Sequence, residues 1–303
     1  MLPTHIKQAC EQKLSIPFMQ QVDIDSFQPI TGGSINDAGR ITTNVGDFFI
    51  KWNSAYRFPM MFELEAKGLE LLRSTEAISV PEPMCWGQSG TDAFLVMEYL
   101  DCAYEVGNFW EEFGHRLANL HLNTTSQFGL NQHNYMGSLR QFNRRHDNYI
   151  DFFIQERLGY QVKLGRDHGI LDSQHVKQFE SLYRRLPELI PEERPALVHG
   201  DLWSGNFTTD CEGYPALIDP AVHYGHREAD LAMTFLFGGF NHQLYDAYHN
   251  AYPLTPSWRW RMDLYNLYPL LVHINLFAPQ TRSVTKVKSD YLISVESTLK
   301  RMG

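Results

Sequence analysis

The chain has 303 residues, 43% of them hydrophobic and 20% charged, with a formal net charge of −9. That is ordinary globular composition, long enough for one large domain or two lobes sharing a cleft. An acidic balance with no basic stripe argues against nucleic acid as the natural partner, although a nucleotide needs only a locally positive pocket. No apolar run approaches the roughly 20 residues of a membrane span, and Met1 to Gln21 lacks the apolar centre of a signal peptide, so no membrane partner is expected. Cys10, Cys85, Cys102 and Cys211 are scattered without Cys-x-x-Cys pairing and read as reduced thiols of a cytoplasmic protein.

In chain order, strand signals come first. Ser26 to Thr31 leads into the turn Thr31-Gly32-Gly33-Ser34-Ile35-Asn36. Gly39 to Thr43 and the run Phe48-Phe49-Ile50, ending at Lys51 and Trp52, flank Asn44-Val45-Gly46-Asp47 and predict a hairpin. A helix is expected from Pro59, near its first turn, to about Arg73. Pro81 and Pro83 then break the chain, and Ala93 to Met97 reads as a buried strand. Beyond Asp101 the pattern turns helical over 110–122, 148–164 and 173–186. It returns to short strands and loops over 192–218, and is helical again over 258–277 and 290–302. The expected fold is α+β and two-lobed: a small β-rich N-terminal lobe, residues 1–100, and a larger, mainly helical lobe, residues 101–303.

The segment Leu197-Val198-His199-Gly200-Asp201-Leu202-Trp203-Ser204-Gly205-Asn206 carries His-x-Asp-x-x-x-x-Asn, followed after a turn by Ala216-Leu217-Ile218-Asp219. Phosphoryl transfer needs one carboxylate to orient the attacking hydroxyl and take its proton. It also needs oxygen ligands that hold magnesium against the phosphates of ATP. Asp201 is assigned as the base, and Asn206 and Asp219 as metal ligands. A phosphate site also needs positive charge, which Lys51 supplies at the end of its strand. A buried lysine needs a carboxylate partner. At about 100° per residue, Glu65 shares a stripe with Phe62, Ala66, Leu69 and Leu72, whereas Glu63 lies to its side, so Glu65 is paired with Lys51.

Gly32, Gly33 and Ser34 form the turn expected over the phosphates, and Glu98, Tyr99 and Leu100 form a connecting strand suited to adenine. His223-x-x-His226 and the pair His115 and His121 lack the further ligands of a zinc site and read as core or solvated histidines. The aromatic residues between Trp258 and Phe277 read as helix core, and Lys286, Lys288, Lys300 and Arg301 as a solvated basic end.

The strings HGDLWSGN and IDPAVHYGHREADLAM resemble the fructosamine kinase (ketosamine-3-kinase) family, which is related to aminoglycoside phosphotransferases and choline kinases. FIKW, MFELEAKGLELL, VPEP, FLVMEYL and FFIQERL extend the resemblance over nearly the whole chain. It implies a protein-kinase-like fold, with nucleotide bound by residues 1–100 and catalysis and substrate in residues 101–303, the roles given above for Asp201, Asn206, Asp219, Lys51 and Glu65, and an adenine-contacting hinge at Glu98 to Leu100. It also implies phosphorylation of the sugar of a ketosamine, small or carried on a glycated protein, commonly at the third hydroxyl. Trp203, two residues past the base, is placed against the sugar or its protonated amine. Glu228 and Asp230 are expected to anchor the loop after Asp219. Ile-Asp-Pro stands where protein kinases have Asp-Phe-Gly, so no phosphorylated activation loop is expected. Ser34 stands where some relatives have cysteine, which removes a redox-linked dimer at that point. Two rivals use the same residues: a kinase for an aminoglycoside, amino alcohol or other sugar, and a non-catalytic nucleotide-binding module.

Overall fold

The structure, a computed structural model, describes residues 1–30, 35–277 and 285–303. It divides into two compact units, Met1–Phe113 with Asn206–Pro220, and Gly114–Gly205 with Ala221–Gly303.

The first unit opens with helix α1 (Thr4–Phe18), followed by β1 (Ile24–Pro29), β2 (Asp37–Thr43), β3 (Gly46–Ser54), helix α2 (Met61–Arg73), β4 (Pro83–Ser89) and β5 (Asp92–Glu98). The strands form one sheet in the order β1-β2-β3-β5-β4, antiparallel throughout. Ile6, Cys10 and Leu14 recur every fourth residue on α1 and join Ile41, Ile50, Phe94 and Val96 of the sheet in one buried cluster. Helix α2 starts two residues after Pro59, behind Met60 in a left-handed conformation (φ 61°), and buries Phe62, Ala66, Leu69 and Leu72.

The chain then enters α3 (Phe109–His121), the hairpin β6 (Asn134–Met136) and β7 (Leu139–Gln141), and a bent helical stretch. That stretch is α4 (Tyr149–Phe152), a π-helical turn at Phe153–Leu158, and α5 (Gly159–Asp167). The wider turn lets Glu156 and Arg157, neighbours in sequence, both sit buried, where Glu156 accepts from Arg144 (2.9 Å) and Arg157 donates to Asn143 Oδ1 (2.8 Å). Helix α6 (Ser173–Leu189) begins at a capping box in which Asp172 accepts from the amides of Gln174 and His175.

Next come β8 (Ala196–Val198), the hairpin β9 (Phe207–Thr209) and β10 (Pro215–Leu217), and β11 (His223–Gly225), which pairs antiparallel with β8. Helices α7 (Glu228–Leu236), α8 (His242–Ala251), α9 (Trp258–Tyr265), α10 (Leu267–Phe277) and α11 (Thr285–Met302) complete the second unit. The single helix expected over 258–277 is broken at Asn266, whose side-chain amide donates to the Ala232 carbonyl (2.8 Å).

The β9–β10 hairpin packs with the first unit although it follows residue 200 in sequence. Leu217 donates to Ser79 O (2.8 Å), the Ser79 hydroxyl to Asp210 (2.8 Å), and Ala103 and Val106 donate to Asp210 O and Gly213 O (3.2 and 3.1 Å). Backbone hydrogen bonds to the sheet-side segment, not chain order, set its place.

Candidate active site

In the first unit Lys51 lies on the middle strand, opposite Ala38 of β2 and Leu95 of β5, and is 3% exposed. Its ammonium group makes ion pairs with Glu65 on α2 and with Asp219 Oδ1 (2.7 Å). Glu63 turns aside to Lys67 one turn along the same helix (2.7 Å). A lysine withdrawn from water is costly unless opposite charge surrounds it. Burial works against the Lys51 charge, but Asp219 and Glu65 outweigh it and hold the ammonium above its usual range. Burial pushes the Glu65 carboxyl up to about 7; Lys51 pulls it down and the like charge of Asp219 adds to the rise.

Asp219 follows β10 at φ 53°, in the left-handed region. Such a residue costs on the order of 1 kcal/mol, with aspartate and asparagine the best tolerated after glycine. Asn206 precedes β9 at the same end of the hairpin, and Ile218 donates to its carbonyl (3.0 Å). The hairpin register, Leu217 opposite Phe207, therefore brings the Asn206 and Asp219 positions together. Both supply hard oxygen donors.

At the end of β5, the Glu98 amide donates to Glu82 O (2.8 Å), and its carboxylate accepts from the Glu82 amide (3.1 Å). The Arg40 guanidinium lies over the Tyr99 ring at 4.6 Å. Just beyond Leu100, a hollow of about 580 Å³ opens between Ala103–Glu105 and β9. Gly32, Gly33 and Ser34 lie outside the described residues.

In the second unit, Asp201 sits on the loop after β8, where its amide faces His199 Nδ1 (3.3 Å) and its carbonyl accepts from the Trp203 amide (3.1 Å). Gly200 turns the chain at φ 84°, and a Cβ there would stand 2.2 Å from Ala221 O, so only glycine fits. The loop is held from α7. Buried Asp230 accepts from the amides of His199 (2.7 Å) and Gly200 (2.8 Å) and from His121 Nε2 (3.2 Å). Burial disfavours its charge, yet these donors hold it below the usual carboxylate range. Asp230 thus anchors the loop before Asp201 rather than the one after Asp219. Glu228 grips Arg261 of α9 with two hydrogen bonds (2.8 and 2.6 Å). The residue types at both positions pointed to anchoring, but no spacing rule names their partners. His121, His223 and His226 are all buried, and His223 is pushed down to about 3 by burial and the nearby Arg157 charge. Among the described residues, no group of three or more His, Cys, Asp and Glu side chains is gathered for a metal.

An antiparallel sheet presenting a carboxylate-paired lysine, followed by a helical unit with an aspartate on a pinned loop, is the arrangement of the two-lobed, protein-kinase-like phosphotransferases. Known proteins narrow that class. The family model described as fructosamine kinase matches residues 6–294, and the chain belongs to that family. It is 38% identical over 274 residues to a protein of Synechocystis named a probable ketoamine kinase, covering 89% of this chain and 91% of that one. It is 39% identical over 276 residues to the chloroplastic protein-ribulosamine 3-kinase of Arabidopsis thaliana, covering 89% and 83%. A crystal structure from Haemophilus somnus assigned as a fructosamine-3-kinase superposes with a TM-score of 0.83 at 26% identity, covering 94% and 96%.

Proposed function

We propose that this protein transfers the γ-phosphoryl group of ATP, with magnesium, to a sugar hydroxyl of a ketoamine, the third hydroxyl of a ketosamine being the expected position. The observation that carries the reading is Lys51, buried and shared between Glu65 and Asp219. A cation fixed in this way is already oriented for phosphate oxygens. In this reading residues 1–100 bind the nucleotide and residues 101–303 carry catalysis and acceptor, the second segment lending its Asn206–Asp219 hairpin to the nucleotide side.

The Asn206 amide and the Asp219 carboxylate fit magnesium. That ion takes one or two protein oxygens and completes its shell with water and phosphate, so a cage of three or more protein ligands is not required. When bound, it neutralises charge on the β- and γ-phosphates. Lys51, kept in place by Glu65, holds the α- and β-phosphates. Glu98, Tyr99 and Leu100 receive the adenine. The Glu98 amide is spent on Glu82 O, so the base falls to the Glu98 carbonyl and the Leu100 backbone. Asp201 orients the acceptor hydroxyl and takes its proton as the new oxygen–phosphorus bond forms and the bond to ADP breaks. Trp203 stacks on the acceptor.

Small ketosamines and the sugar of a glycated protein share this chemistry. The cytoplasm is the proposed compartment, in keeping with four free thiols and with no described helix long and apolar enough to cross a membrane. An ATP-coupled assay against a ketoamine panel, with aminoglycosides, amino alcohols and free sugars as controls, tests the reading. Turnover of ketoamines is expected. Turnover confined to the controls would reassign the acceptor, and intact MgATP binding without turnover would favour a non-catalytic module.

A further inference from the structure

Two large aromatic side chains stand at the surface of the second unit beside Asp201: Trp203, 37% exposed, and Phe237, 38% exposed. Their rings meet edge to face, with centroids 5.9 Å apart. This contact is built, not incidental. The Trp203 ring occupies the space a Gly205 side chain would fill, since a Cβ there would lie 2.2 Å from its Cη2. Phe237 caps the C-terminus of α7 and precedes Gly238-Gly239, and a Cβ on Gly239 would stand 2.6 Å from Ser204 Cβ. The turn after α7 therefore lies flat on the loop that bears Asp201.

Helix α10 supports the same surface. His273 packs against Phe237 with centroids 5.2 Å apart. Its Nδ1–H donates to Pro269 O (2.8 Å), which fixes the ring. Five residues earlier, the Tyr268 hydroxyl donates to Gln141 Oε1 (2.9 Å), and its phenol feels the Asp201 charge. One helix thus backs both the base and the aromatic pair.

A neighbouring aromatic cluster, exposed at Phe235, shows what such a surface on this unit attracts. Phe235, Tyr245 and Trp258 are capped by the Arg259 guanidinium, 4.5 Å above Trp258. Among the described residues, no lysine or arginine covers Trp203 or Phe237 in that way. A ketoamine differs from a free ketose by one protonated amine and its substituent, and a cation over aromatic rings gains about 0.5–2 kcal/mol.

Resting on the acceptor class proposed above, we infer that Phe237, positioned by His273, completes with Trp203 the surface that grips the amine-bearing end of the acceptor and selects ketoamines over free ketoses. Phe237 touches the substrate; His273 acts through it.

The test compares wild type with Phe237→Ala, Phe237→Tyr and His273→Ala. The acceptors are a fructosyl-lysine and D-fructose, with KM for ATP measured alongside. For Phe237→Ala, the KM for the ketoamine should rise about tenfold, while kcat, the KM for ATP and any turnover of D-fructose stay within about threefold. Phe237→Tyr should restore the ketoamine KM, and His273→Ala should shift it in the same direction by a smaller factor. A ketoamine KM that stays within twofold in Phe237→Ala overturns the inference, as does a rise shared equally by D-fructose and ATP, or a loss that Phe237→Tyr does not rescue. A wild type that turns over no ketoamine overturns this inference and the proposed function together; an active wild type with an indifferent Phe237→Ala overturns this inference alone.

Discussion

Asp230→Asn probes the link between fold and chemistry, because the side chain accepts from two amides of the loop that leads to Asp201. Asp230 is 1% exposed; one oxygen accepts from His199 N–H and His121, the other from Gly200 N–H. Asparagine has the same shape but a single acceptor oxygen. The less costly orientation keeps that oxygen toward His199 and turns its NH2 on the Gly200 amide, leaving two donors face to face. One charge-assisted hydrogen bond is lost and a buried donor goes unsatisfied, together about 2–4 kcal/mol. Against a typical total of about 5–15 kcal/mol the variant still folds. Its loop relaxes at Gly200, next to Asp201, and a shift of about 1 Å there should lower kcat by about 10²-fold. Urea denaturation and steady-state kinetics on the same preparation check both numbers, with the KM for ATP expected to change little. A stability loss below about 0.5 kcal/mol with normal kcat would refute the reasoning, since that oxygen would then be replaceable without cost.

Asp219→Asn retains a residue tolerated at φ 53° and an oxygen ligand, so it isolates the carboxylate charge; magnesium-dependent ATP affinity should fall at least about tenfold in calorimetric titration, and an unchanged MgATP titration would contradict the assignment. Lys51→Met removes the cation between two carboxylates, and kcat/KM should drop by at least about 10²-fold. Glu65 is already raised to about 7 in the folded protein. Once Lys51 is gone, the fold binds its proton more tightly than the unfolded chain does, so the variant should melt higher at pH 6 than at pH 8; the opposite order would mean Glu65 is not the partner that matters. His223, pushed down to about 3, is neutral in the fold. The unfolded chain takes up the proton first, so stability held above about pH 6.5 is lost as pH falls, at up to about 1.4 kcal/mol per pH unit. His223→Gln should flatten that loss in melts between pH 7 and pH 5, and an unaltered slope would count against it.

The readable parts of the sequence were those where local chemistry and tertiary role coincide. The hairpin carrying Lys51 has an apolar run beside the turn Asn44-Val45-Gly46-Asp47, and β2 and β3 form there. The apolar stripe on α2 separated Glu65 from Glu63, and the two carboxylates do have different partners, Lys51 and Lys67. Helix α1 went unread because Ile6, Cys10 and Leu14 are diluted by Lys7, Glu11 and Lys13, so its single buried stripe is narrow. Helix α7 buries Glu228, Asp230, Leu231, Ala232, Met233 and Thr234, and a segment buried on most sides has little periodicity to detect. Strand β4 begins at Pro83, a residue that reads as a breaker yet is accepted where a strand starts on a sheet edge. The Lys51–Asp219 contact spans 168 residues, the Asp230 contacts with His199 and Gly200 about 30, and Phe237 meets Trp203 from beyond β9, β10, β11 and α7. Such pairings are products of packing and leave no local signature.

The most direct measurement is the mass and ³¹P spectrum of a ketoamine incubated with MgATP and wild-type protein, alongside Asp201→Asn. The account predicts a singly phosphorylated sugar with wild type and product formed about 10²–10⁴-fold more slowly with the folded variant. An unmodified ketoamine with wild type, or equal product from both proteins, would contradict it.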